Sequence, residues 1–427
     1  MKISTIQKKL KLILSENKLN KLGRATGFTQ RERNITAFQL VTAMICALGE
    51  KQTDYLSDIL RYFNRLTKQN VKYKPFHNQL SKPALAELMR EIAGKAFSCW
   101  INDVLDFKKG HFEQFNQVYI QDGSSFSVKD ELKEVWPGRF TKISPAAIEL
   151  HATINLRSGS FEQASITPDT FSERAEMPTL NELKGNLFLA DRGYYSGEFI
   201  HDLDKSGGYF VLRAKGLKRV IISRATRADG KKLIKNKSIE LSKLQTRLPK
   251  RQAVDMDVEI KGEIVRLIAF WSLKEKRHTY LITNLKRDEF SILEIDSIYR
   301  MRWQVELFFK ECKSYNSLHG FNTQKESLQE SLIWASLISM TLKRFISGCV
   351  EKIYKVEMST MVVSKTTVCW WYGILEAIVQ QRRSTLINRL TEACDFLNKN
   401  ATRAHPKRDR RSGILQYALE PAFYAEI

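Results

Sequence analysis

The sequence predicts an α/β chain in which a mixed sheet is flanked by helices, both ends are helical, and a β-rich insertion interrupts the core. Three observations carry this. Apolar residues recur at helical spacing up to about residue 112. Short runs rich in Val, Ile, Thr, Tyr and Phe then take over, first bare and later alternating with helical segments. A second β-rich stretch follows before the chain turns helical again. The 427 residues, 43% of them hydrophobic, leave room for roughly two to four domains with buried cores.

Taken in order, Ile35 to Leu48 is an apolar helix, and Thr53 is placed to cap another that runs to about Phe63. Ser81 and Pro83 open a long helix through Trp100. Between these helices lies KYKPFHNQLSK, a short basic segment. Helix, basic turn and helix fit a DNA-reading helix-turn-helix variant, with Lys72, Lys74, His77, Asn78 and Lys82 as its contacts. An ordinary helical bundle with a polar loop fits nearly as well.

From about residue 113, QVYIQD, AAIELHATINL, SFEQASITP, NLFLAD and GGYFVLRA read as strands, with helical segments near 174–184 and 196–206. Residues 214–285 form the insertion, with a hairpin turning at Lys261-Gly262. After Asp288 the chain is helical to about residue 398. The expected domains are therefore 1–112, 113–330 with the insertion inside it, and 331–427 with a basic tail.

Charge narrows the function. Sixty-nine Lys and Arg face 47 Asp and Glu, a net +22. Fourteen of the cations lie between Val211 and Arg251, opposed only by Asp229 and Glu240. Further clusters sit in the first 35 residues and between Arg403 and Arg411. One such cluster is ordinarily a solvated face, but three along one chain suit a long polyanion such as DNA. No apolar run approaches the roughly 18 residues that span a bilayer, and Lys interrupts the apolar start of the chain. The six Cys are far apart with no C-x-x-C pair, which suits reduced thiols in the cytosol and argues against a zinc site. No Gly-x-Ser-x-Gly elbow surrounds Ser124 or Ser125, and no Walker A pattern occurs.

Two acids mark strand ends. Val118 to Asp122 runs into Gly123, and Leu187 to Asp191 runs into Arg192-Gly193. The carboxyl ends of strands in open α/β sheets collect ligands, and two carboxylates there suit Mg²⁺. Either Asp alone reads equally as a turn residue. Glu149, on a strand, is a rival acid. In the segment 298–313, Ile298, Met301, Val305, Phe308, Phe309 and Cys312 form one apolar stripe. Arg302, Trp303, Glu306, Lys310 and Lys313 fall within about 60° of Tyr299 on the other side. That face combines one carboxylate with cations for phosphates and aromatics for a base.

These residues resemble the DDE transposases of bacterial insertion sequences, family four, whose signature Tyr-x2-Arg-x3-Glu-x6-Lys is matched by Tyr299, Arg302, Glu306 and Lys313. IQDGSSFSVKDELKEVWPG around Asp122 and LADRGYYS around Asp191 are similar to the family's upstream blocks, at spacings of 69 and 115 residues. The resemblance implies an RNase H-like catalytic core. It implies that Asp122, Asp191 and Glu306 hold two Mg²⁺, with Mn²⁺ as a substitute, for two-metal phosphoryl transfer. It also implies a homodimer pairing two terminal inverted repeats, cut-and-paste joining to target DNA, and a hairpin intermediate with a base stacked on Trp303 or Tyr299. Arg302, Lys310 and Lys313 would hold the strand, in a cytoplasmic protein associated with the nucleoid. An RNase H-fold nuclease on structured DNA and a non-catalytic DNA-binding descendant are the alternatives.

Overall fold

The computed structural model describes residues 2–31, 34–50, 55–104, 112–157, 160–234, 237–272, 275–315 and 323–405. The side chains of 102–104, 160–161, 218, 303–307 and 310–315 fall outside the description. So does Thr53, the expected cap.

Six helices come first: α1 (Ile3–Ile13), α2 (Glu16–Ala25), α3 (Ala37–Gly49), α4 (Leu56–Thr67), α5 (Tyr73–Leu80) and α6 (Ala84–Val104). A capping box starts α3, with Thr36 Oγ1 accepting from Gln39 N at 3.2 Å and Gln39 Oε1 accepting from Thr36 N at 3.3 Å. The basic turn expected between α4 and α6 is itself the helix α5. Pro75 does not break it, because it sits in the first turn, where no intrahelical N–H is missed.

The central strands are β1 (Val118–Ser127), β2 (Ala147–Asn155), β3 (Ser160–Pro168), β4 (Leu187–Ala190) and β5 (Tyr209–Arg213). Between them come α7 (Leu180–Leu183) and α8 (Gly197–Lys205). The helix expected near 174–184 is therefore reduced to one short turn at α7, after a 3₁₀ turn at Glu173–Glu176. The outer strands are β6 (Ile221–Arg227), β7 (Ile239–Glu240), β8 (Val254–Ile260), β9 (Glu263–Ser272) and β10 (Arg277–Thr283), with α9 (Leu241–Leu244) after β7.

All ten form one sheet in the order β3-β2-β1-β4-β5-β10-β9-β8-β6-β7. β1, β2 and β3 are antiparallel neighbours, whereas β4 and β5 run parallel to β1. That mixed order is the arrangement of an RNase H-like core. The insertion's strands extend the same sheet beyond β5, because β10 returns antiparallel along it. The β8–β9 turn sits at Lys261 (φ 51) and Gly262 (φ 82), the two positive φ values that a tight hairpin needs.

The C-terminal helices are α10 (Ile292–Tyr315), α11 (Glu326–Tyr354), α12 (Thr360–Lys365), α13 (Trp371–Val379) and α14 (Arg383–Asn400). Residues 328–350 of α11 are almost continuously buried, with α6, α3 and α14 packed around them. One apolar core runs from Ile6 through the faces of β1 and β2 to Ala401, so the helices of both ends of the chain share an interior. The buried Lys343 of α11 donates to Gly49 O at 2.6 Å, using a carbonyl that the end of α3 leaves unpaired. A second core lies under β4, β5 and the outer strands.

Candidate active site

β1 does not stop at Asp122. It continues to Ser127, with β2 paired along it and Asp122 opposite Ala152. The expected Asp-Gly turn is absent because this backbone is needed as a strand, and Gly123 serves another purpose. A Cβ there would lie 2.8 Å from Glu149 Oε1 and 3.3 Å from Tyr194 Oη. Asp191, by contrast, lies just past β4, and Tyr194 N donates to its carbonyl at 3.1 Å in the turn that follows.

Register brings the two acids together. Val118 to Gln121 pairs in parallel with Leu187 to Ala190, so Asp122 and Asp191 are the next residues on neighbouring strands. One oxygen of Asp191, Oδ1, is buried with no hydrogen-bond partner. Asp122 is 7% exposed.

The helix α10 crosses this end of the sheet. It starts from a second capping box, in which Ser291 N donates to Glu294 Oε2 at 2.7 Å and Glu294 N donates to Ser291 Oγ at 3.3 Å. Of the expected stripe, Ile298, Phe308 and Phe309 are buried and Met301 is half-buried, and Ile295, just before that segment, is buried with them. Helical spacing puts Arg302 on the polar face, yet it is 1% exposed. Its Nη1 lies 3.5 Å from Asp122 Oδ1, and its guanidinium lies 5.2 Å from the centre of the Tyr299 ring. The Tyr299 hydroxyl is buried without a partner, and burial pushes its pKa well up. Glu306 lies four residues further along α10, one turn on. The side chains of Trp303, Glu306, Lys310 and Lys313 lie outside the described residues, and their backbone belongs to α10.

Two carboxylates abreast are hard oxygen donors, and a buried unpartnered oxygen on one of them fits a divalent ion. Among the described residues no three His, Cys, Asp or Glu cluster around one point, and the side chain of Glu306 is not among them.

A further cluster surrounds Glu149, the acid that the sequence offers as a rival. Glu149 is 2% exposed, and its Oε2 has no hydrogen-bond partner, the Arg139 guanidinium lying 3.7 Å away. Burial, then the Glu173 carboxylate, pushes its pKa up to about 7. It reaches Gly123, one residue along from Asp122, and so approaches the opposite face of β1. Tyr194, with an unpartnered buried hydroxyl, closes the cluster. Gly193, in the block around Asp191, signals the same crowding, since a Cβ there would lie 2.7 Å from Glu173 Oε2.

At the N-terminal end, Lys72, Lys74 and Asn78 are grouped around an open groove of about 680 Å³ that Asn34, Asn70 and Gln79 also line. His77 is half-buried beside the Tyr73 ring, 5.5 Å between centres. Lys82 donates to Phe28 O at 2.9 Å and lies 4.8 Å from the centre of the Phe28 ring. No described helix is long and apolar enough to cross a membrane.

A mixed sheet of this order with two acids side by side at one end, crossed by α10, is the frame of a class of enzymes that transfer phosphoryl groups of nucleic acids. The chain belongs to the family described as "Transposase DDE domain", whose model matches residues 113–342, and it is a DNA transposase of the DDE kind. Enzymes with this domain depend on divalent metal ions. Among curated proteins it is similar to the transposase for insertion sequence element IS1151 of Clostridium perfringens, 24% identical over 81% of each chain. It is also similar to the transposase for IS231B of Bacillus thuringiensis subsp. berliner, 20% identical over 92% of this chain and 90% of that one. A solved synaptic complex of piggyBac transposase with hairpin DNA aligns at TM-score 0.42 and 11% identity, over 91% of this chain and 85% of that one.

Proposed function

We propose that this transposase binds the terminal inverted repeats of its own insertion sequence, cuts at their ends and joins them to target DNA, acting as a homodimer on two paired ends. The observation that carries the catalytic reading is the register of β1 and β4, which sets Asp122 beside Asp191 under α10.

In this reading Asp122, Asp191 and Glu306 hold the divalent ions, Mg²⁺ by preference. When bound, such a pair supplies activation of the attacking oxygen and charge stabilisation at the leaving 3′ oxygen. The protein's own part is to hold the strand in line. Arg302, Lys310 and Lys313 grip phosphates from one helix, and Trp303 and Tyr299 offer aromatic faces to an unpaired base. Unstacking that base costs a few kcal/mol, and stacking on an aromatic returns about 1–3 kcal/mol. This balance is what a hairpin intermediate at the transposon end demands. The helix α5 enters the groove of the repeat with Lys72, Lys74, His77 and Asn78, while Lys82 secures the Phe28 turn behind it. The cations of the outer strands, among them Arg224, Lys231, Lys232, Lys243 and Arg247, track the backbone of the same duplex.

The test is an end-labelled duplex bearing the inverted repeat, incubated with protein and Mg²⁺ beside Glu306→Ala and resolved on a denaturing gel. A nick at the transposon boundary that the variant loses is the expected result, with joined strands appearing later. Cleavage that ignores the repeat and follows junction shape would point instead to a structure-selective nuclease.

A further inference from the structure

An arginine on the charged face of a helix is ordinarily exposed, and is fully buried almost only where it is paired. Here Arg302 is among the largest fully buried side chains of the molecule. Its Nη1 lies 3.5 Å from Asp122 Oδ1, and the carboxylate is itself 10% exposed at its side chain. The neighbouring Asp191 keeps a buried oxygen without a hydrogen-bond partner. One side chain therefore already supplies positive charge to the acid pair from within the protein.

We infer that Arg302 and a divalent cation exclude one another at Asp122, so that the ion binds tightly only when a DNA phosphate draws the guanidinium away. The inference rests on the metal assignment made above. Two cations sharing one carboxylate repel strongly at low dielectric, whereas the same carboxylate attracts either alone. Releasing Arg302 from Asp122 frees the oxygen for the ion and turns the guanidinium to the strand. Metal affinity and DNA affinity are then coupled, each raising the other by the same factor. Arg302 is in this sense a positioning residue with a second role: it keeps the site from loading before the substrate arrives. Being one helical turn from Glu306, it links that gate to the third acid through α10 itself.

The experiment measures Mn²⁺ binding to the full-length protein, by the electron paramagnetic resonance of the free ion, with no turnover involved. Wild type, Arg302→Gln, Arg302→Lys and Asp122→Asn are titrated with and without a duplex bearing the inverted repeat. Without DNA, Arg302→Gln is expected to bind Mn²⁺ about tenfold more tightly than wild type, and Arg302→Lys, which keeps the charge, much less so. Adding the duplex should tighten binding to wild type about tenfold and leave Arg302→Gln nearly unchanged. Equal affinities for wild type and Arg302→Gln would overturn the inference while leaving the metal site intact, provided Asp122→Asn loses the ion. Absence of Mn²⁺ binding in every protein, with or without DNA, would remove the metal assignment and the inference together. Should Arg302→Gln fail to fold, the wild-type arm still decides: a duplex that does not tighten Mn²⁺ binding refutes the coupling.

Discussion

The two halves of the ten-stranded sheet share one hydrogen-bonded lattice and an apolar core, yet carry opposite charge. The inner half, β1 to β5, gathers carboxylates: Asp122 and Asp191 at one end, and Glu149 with Glu173 toward the opposite face of β1. The outer half, β6 to β10, is rimmed by exposed cations, and its buried acid is paired. Asp255 there is held by Arg266 and Arg287, with Nη2 to oxygen distances of 2.9 Å in both cases. The difference teaches that a sheet can be extended without extending its chemistry. The inserted strands borrow the edge of β5 for their backbone and share the core beneath β4 and β5, while their exposed face carries a charge set independently of the site.

The sharpest break in that comparison comes from the inner half. Asp122→Asn or Asp191→Asn should lower end cleavage about 10³-fold or more while leaving duplex binding within a few-fold, read by nicking and mobility-shift assays on the same preparation. Loss of binding in step with cleavage would mean that these acids support the fold instead.

In the outer half the largest effect is on stability. Arg266 is buried, bonded to both Asp255 oxygens and to Phe290 O at 2.8 Å. Removing one partner of a buried pair costs about 3–5 kcal/mol, so Asp255→Ala should shift the urea midpoint far more than any change at an exposed cation of that half. Phe290 lies just before α10, and so the same variant should also weaken cleavage.

Glu149 gives a smaller, pH-dependent effect. Its pKa rises from 4.5 to about 7 on folding, so the folded chain takes up a proton between those values. The stability this group contributes is full below about pH 4.5 and is lost as pH rises through 7. Glu149→Gln is expected to exceed wild type by up to about 3 kcal/mol at pH 8 and to match it at pH 4, in urea melts at both pH values. A gain that is constant with pH would assign the effect to packing.

The smallest effect belongs to single cations of the outer half. Lys232→Ala or Arg247→Ala should leave stability unchanged and lower the slope of log binding constant against log salt by about one for each phosphate no longer neutralised.

How far the sequence foresaw this depends on how local each signal was. The hairpin at Lys261-Gly262 was legible because two positive φ values are a demand of the turn alone. The stripe of α10 was legible for the same reason, since Ile298, Phe308 and Phe309 follow from helical period. The burial of Arg302 was not legible, because the wheel shows which face a residue is on, whereas Asp122, 180 residues earlier, decides whether that face is covered. Asp122-Gly123 looked like a turn, yet β2 pairs through it and Glu149 occupies the space a Cβ would need. α5 was hidden by Pro75, whose cost vanishes in a first turn. Asp122, Asp191, Glu306 and Arg302 were singled out together by the signature; the structure sets Asp122 beside Asp191 with Arg302 against Asp122, and places Glu306 one turn further along α10.

The parallel register of β1 and β4 also sets a length. Neighbouring strands lie about 4.8 Å apart whatever their sequence. Two acids issuing from adjacent positions therefore start from a spacing fixed by peptide hydrogen bonds, which no loop movement or side-chain substitution elsewhere can stretch. The sheet acts as a ruler for these two acids, whereas Glu306 issues from α10, whose place is set by the packing of Ile295, Ile298, Phe308 and Phe309 and not by the sheet's hydrogen bonds.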